Sequence, residues 1–182
     1  MKSLKIISFV LGFFLVTSCS DSLDFDQIDN YIYEPTFTSA LTFFSVSPFQ
    51  FFNPSGVQEN EIIHIDDFQA FQRDFVRDNV IKVDFNAEYK NEFDRDITII
   101  FEFLNNNMDL VYLAQPIFVE ANDVSPPAYL EEIIIADYPD ILNASFIRVK
   151  AAIEDTGTQM NPNDTSEFEF KSSITLFIKS EL

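Results

Sequence analysis

The sequence predicts an all-β fold: an antiparallel β-sandwich of about seven strands, immunoglobulin- or fibronectin-III-like, with one short helix between the first two strands. Three observations predict it. Stretches such as residues 80–90 alternate apolar and polar side chains with a period of two, the signature of a strand with one buried and one wet face. The connections between such stretches are short, as antiparallel neighbours allow. The 22 Phe among 182 residues, within 47% hydrophobic residues overall, supply a core whose burial can offset the conformational entropy lost on folding.

The elements follow in order. Residues 37–46, FTSALTFFSV, are rich in β-branched and aromatic side chains and form the first strand. Residues 47–56, SPFQFFNPSG, carry Pro48, Pro54 and Gly56 and form a loop. Phe49, Phe51 and Phe52 stand together in it, either as a partner-binding tip or as a plug in the end of the sandwich. Residues 66–79 read as the helix. Phe68, Phe71 and Phe75 recur at i, i+3 and i+7, Asp66 and Gln69 have capping-box spacing, and Asn79 suits a stop. The strand over 80–90 places Ile81, Val83, Phe85, Ala87 and Tyr89 on one face. After the turn EFDR, residues 96–104 point Ile97, Ile99, Phe101 and Phe103 inward. The run NNNMD, 105–109, is a hairpin loop, since Asn tolerates positive φ. Residues 110–121 form the next strand, with Pro116 marking an edge or a bulge. Residues 129–136 are a strand and 137–142 a short helical turn. Residues 144–154 are a strand with Ser145, Ile147, Val149, Ala151 and Ile153 on one face. A polar loop over 155–166 leads to the last strand, 167–181, where Phe168, Phe170, Ile174, Leu176 and Ile178 align.

The first residues have a different character. Lys2 and Lys5 precede an apolar run from Ile6 to Val16, interrupted by Ser8 and Gly12. Its length suits a signal peptide, since a bilayer span takes about 20 residues. Cys19, the only cysteine, follows Val16, Thr17 and Ser18. This resembles the lipobox of bacterial lipoproteins. The resemblance implies that the Cys19 thiol carries diacylglycerol, that the chain is cut before it, and that the new amine is acylated. It would account for a lone cysteine in an exported chain, and several acyl chains anchor stably at about 0.8 kcal/mol per buried CH₂. Ser20, Asp21, Asp24 and Asp26 resemble the acidic export tag of surface lipoproteins of the Bacteroidetes, with Ser22 and Leu23 interrupting the acids. That implies an outer-membrane protein facing outward; without the tag, the acids are a solvated tether. The expected organisation is a signal peptide over 1–18, a lipidated cysteine and acidic tether over 19–35, and the sandwich domain over 36–182.

The 11 Lys+Arg and 30 Asp+Glu give a net charge of −19. A field of that sign repels phosphate backbones and anionic lipid, so nucleic acid is not an expected partner. The expected partners are the membrane, through the lipid anchor at Cys19, and a protein in the outer membrane or outside the cell. No catalytic residue, metal site or cofactor is assigned. His64, the single histidine, sits in IIHID and reads as a structural or surface residue rather than a triad base. Three Gly cannot build a phosphate loop. Asp155, Asn161, Asn163 and Asp164, and likewise Asn105, Asn107 and Asp109, offer oxygens on loops, but neither run fits the EF-hand pattern. The acids Glu131-Glu132, Asp66-Asp67 and Asp94/Asp96 read as solvated faces. The expected function is a lipid-anchored, non-catalytic binding or structural module. Two alternatives stand beside it: an accessory subunit of an outer-membrane complex, and a hydrolase using a carboxylate pair.

Overall fold

The structure is a computed structural model that describes residues 32–125 and 128–181. The signal peptide, Cys19 and the tag residues Ser20, Asp21, Asp24 and Asp26 lie outside the described residues. Within the unit Tyr33–Ser180, the strands are β1 (Thr36–Val46), β2 (Glu61–Asp67), β3 (Val80–Asn91), β4 (Ile97–Leu104), β5 (Leu110–Leu113), β6 (Ile117–Val119), β7 (Ala128–Ile134), β8 (Phe146–Ile153) and β9 (Phe168–Ile178). A short helix, α1 (Asp74–Asn79), lies between β2 and β3. One sheet has the order β1-β9-β3-β7. The other runs β2-β8-β4-β5, with β6 also paired to β4. All these pairings are antiparallel.

The antiparallel sandwich expected from the sequence is present, and its strand order adds what periodicity could not supply. If β5 and β6 are taken as one strand interrupted at Pro116, the eight strands lie in the orders 1-8-3-6 and 2-7-4-5. That is the connectivity of a jelly roll, two Greek keys wound into facing sheets. The immunoglobulin order keeps its first two strands in one sheet. Here β1 and β2 belong to opposite sheets, and each is an edge strand.

Alternation builds the core. Val83, Phe85 and Ala87 from one sheet and Ile97, Ile99, Phe101 and Phe103 from the other are fully buried. The Phe85 and Phe101 rings meet across the two sheets at 4.4 Å, and Phe103 takes Phe68 edge-on at 5.5 Å. Each fully buried Phe contributes about 1.5–3 kcal/mol through area removed from water.

Four sequence expectations change locally. The helix predicted over 66–79 is shorter. Asp66 and Asp67 end β2, Ala70–Gln72 is a 3-10 turn, and only Asp74–Asn79 is α-helical. Arg73 is extended (φ −87°, ψ 122°), which breaks the helical phase. Phe68 and Phe71 therefore reach the core, while Phe75 is 46% exposed. The strand β2 was hidden because Ile62 faces inward while Ile63 and Ile65 face outward, which erases the alternation. The short helix consequently follows the second strand. Ile81, predicted inward, is exposed: the register slips between Phe177 and Ile178, and Val80 takes the buried place. Pro116, lacking an N–H, splits the strand predicted over 110–121 into β5 and β6.

Candidate functional site: a groove between two edge strands

The site grows from an irregularity in β1. Its pairing with β9 shifts between Lys171 and Ser173, so Leu41 and Thr42 both lie against Ser172, a β-bulge. Beyond the bulge Phe44 and Val46 face inward, paired with Phe170 and Phe168. There the sandwich is closed. The Phe44 ring lies 5.4 Å from Phe170 and 5.9 Å from the His64 imidazole on β2. Before the bulge the inner face passes to Phe37 and Ser39, paired with Leu176 and Ile174. Strand β2 has ended at Asp67 at that level, and the segment from Phe68 to Val76 stands in its place.

A groove of about 710 Å³ remains. Phe37, Leu41, Phe68, Phe75, Ile174 and Leu176 give it an apolar lining. Phe37 belongs to the inner face yet is 49% exposed. Ser39, Asp67, Gln69 and Arg73 supply the polar groups. Nine Lys and Arg are described, and only Arg73 and Lys179 lie outside ion pairs with described residues. An apolar lining of this volume with a few convergent polar groups is what small-ligand and peptide sites share. Such a lining suits binding.

The predicted residues fall as follows. Phe49, Phe51 and Phe52 are divided by a 3-10 turn, Pro48–Phe51. Phe51 is 1% exposed and meets the Phe93 ring edge-on at 6.1 Å, so it belongs to the core and not to a tip. Phe49 is 66% exposed and, with Phe52, Gln159 and Pro162, borders a cleft of about 570 Å³. His64 Nε2 lies 3.1 Å from the Asp66 carboxylate on the same strand. Asp155, Asn161 and Asp164 accept from backbone N–H groups of Gly157, Asn163 and Ser166, in turns that hold the loop. Among the described residues no group of three His, Cys, Asp or Glu is placed to hold a metal ion, and no helix is long and apolar enough to cross a membrane.

Two polar clusters escaped the sequence. Glu131 on β7 accepts hydrogen bonds from Tyr112, Tyr129 and the Gln115 N–H. Burial, and then the carboxylate they donate to, raise both tyrosine hydroxyls well above their ordinary value. On the outer face of the other sheet, Glu102 takes hydrogen bonds from Arg148 and, at 3.0 Å, Lys150. Burial pushes its carboxyl up, but the two cations together outweigh burial and hold it below 4.5. Both clusters depend on which strands become neighbours, which adjacency in the chain does not reveal.

No family model matches the chain, and no curated protein matches it in sequence. Among solved structures it is similar to a candidate secreted protein from Parabacteroides distasonis ATCC 8503, with 15% identity and a TM-score of 0.47 over 64% of this chain and 38% of that one. It is similar to the VP2 subviral particle of infectious bursal disease virus, with 12% identity and a TM-score of 0.40 over 82% of this chain and 34% of that one. It is also similar to desmodium yellow mottle tymovirus, with 10% identity and a TM-score of 0.35 over 83% of this chain and 89% of that one. The chain thus spans 38% and 34% of the first two of these proteins.

Proposed function

We propose that the protein is a lipoprotein of the outer membrane, anchored through Cys19, whose jelly-roll domain is a non-catalytic binding module at the cell surface. The groove between β1 and the Phe68–Val76 segment is its binding site. The observation that carries this reading is the groove itself. The two edge strands close onto each other at Phe44 and His64; beyond the end of β2, Phe37 on β1 and Phe75 on α1 line the open groove, two aromatic rings half in water. Covering that exposed half would contribute about 1 kcal/mol per ring, and a partner can supply the cover. The anchor and the outward orientation rest on the resemblance of residues 1–26 to a lipobox and an acidic export tag.

The test is a photo-crosslinking side chain placed at Phe75 in intact cells, with Asn86 on the outer face of β3 as the control. The proposal expects discrete adducts from position 75 and none from position 86. Equal labelling from both positions would contradict it. One observation favours the accessory-subunit reading: Phe49 stands exposed over the cleft bordered by Gln159 and Pro162. Adducts with an outer-membrane protein from position 49, and none from 75, would select it.

A further inference from the structure

The segment that borders the groove, together with Arg77 just beyond it, also lines a second cleft, of about 630 Å³, at the end of the sandwich, through Phe71 and Gln72. Its walls come from that segment, the β4–β5 loop and the turn Pro139–Asn143 before β8. Five of its ten lining residues are amides: Gln72, Asn105, Asn106, Asn107 and Asn143. Asn and Gln make up 13 and 7 of the 182 residues, so this is a concentration. The 30 acids of the chain contribute none of the lining.

The walls are fixed by backbone bonds. The Ser145 N–H donates to the Leu104 carbonyl at 2.7 Å, and the Phe68 N–H donates to the Ser145 carbonyl at 2.8 Å. Asn105 is used within its own loop, where its Oδ1 accepts from the N–H groups of Asn107 at 2.8 Å and Asp109 at 3.0 Å. Met108 adopts φ 66° to close that turn. The side chains of Gln72, Asn106, Asn107 and Asn143 make no hydrogen bond to another described residue and remain available at the cleft. Arg77, the one charged group of the lining, is compensated by Asp74 at 2.6 Å.

A primary amide donates and accepts at once, as a hydroxyl does. Neighbouring amides can therefore match neighbouring hydroxyls without desolvating an ion. Leu142, partly exposed, adds apolar surface for C–H groups, over a floor formed by the buried Phe71. A compensated arginine and a net charge of −19 give an anion no advantage. We propose that this cleft binds a neutral polyhydroxylated ligand, a saccharide of about one or two rings. The site is separate from the groove and does not rest on the function proposed for it.

The test is retention of the full chain, in a detergent without a sugar headgroup, on a printed array of neutral and acidic glycans. The proposal expects retention on neutral glycans. It expects a loss of about tenfold or more in the Asn106→Ala/Asn143→Ala double variant at unchanged Tm. Should that variant melt lower, Gln72→Ala on the exposed turn replaces it, and the same loss is expected. Retention on no neutral glycan, a preference for acidic ones, or unchanged retention by the folded variants would overturn it. Phe37→Ser should leave glycan retention unchanged while altering the groove, so the two sites can fail separately.

Discussion

The hydroxyl of Tyr112 donates to Oε1 of Glu131 at 2.5 Å, and this bond joins the two sheets on the side away from the groove. Tyr112 lies on β5 in one sheet and Glu131 on β7 in the other. Tyr129 and the Gln115 N–H fill Oε2 at 2.6 and 3.0 Å. One carboxylate thus holds three donors from both edges. Glu131→Ala would strand them, with an expected loss of about 2–3 kcal/mol. Glu131→Gln keeps an acceptor oxygen and should lose less. Urea unfolding of the two variants checks the order.

The same cluster sets an alkaline limit. Both hydroxyls have folded-state pKa values raised above the ordinary 10.0. The fold therefore holds their protons more tightly than the unfolded chain does. Their contribution is complete below about pH 10 and is lost as pH rises through the folded values. The Tyr112→Phe/Tyr129→Phe variant should show a flatter decline of stability above pH 10 than the parent, measured by urea unfolding across pH 9–11.

At the acid end the sign reverses. Glu102 is held below 4.5 in the folded state, so its contribution is present above that value and fades as pH falls through the folded one. Glu102→Gln cannot titrate, so its stability should vary less than the parent's below about pH 4.5. Thermal melts from pH 6 to pH 3 test this, and parallel curves for the two proteins would argue against it.

The three phenylalanines of SPFQFFNP separate cleanly. Phe51→Ala removes a buried ring and should cost about 3–5 kcal/mol. Phe49→Ala removes an exposed ring and should change stability by no more than about 0.5 kcal/mol. Melting temperatures of the two single variants decide it, and equal losses would contradict the placement of both rings.

The strands the sequence declared were those with one wet face. Residues 80–90, 96–104, 144–154 and 167–181 alternate because one side of each packs on the opposite sheet, so their inward residues are legible from the alternation, except at Ile81, where the register slip puts Val80 inward instead. Ile62, Ile63 and Ile65 gave no alternation, because an edge strand keeps apolar groups on both faces, and β2 was missed. The spacing of Phe68, Phe71 and Phe75 imitated a helix that the extended Arg73 interrupts. The groove was illegible for a related reason. It exists because β1 and β2 lie in opposite sheets, and strand order is a long-range property that local periodicity does not carry. The amide cleft left one trace, the run Asn105-Asn106-Asn107, which a hairpin loop alone explained.

The anchor has its own test. Under the proposed anchoring, Cys19→Ala should move the protein from the detergent-rich to the aqueous phase on temperature-induced phase separation, since the acyl chains would supply the membrane affinity. A variant that stays in the detergent phase would mean that something other than Cys19 holds it there.

The most direct measurement is protease shaving of intact cells, with lysed cells as the control, followed by detection of the domain. A lipid-anchored module displayed outward predicts digestion on intact cells. Protection until lysis would place the domain inside the envelope, and the surface-binding account would be wrong.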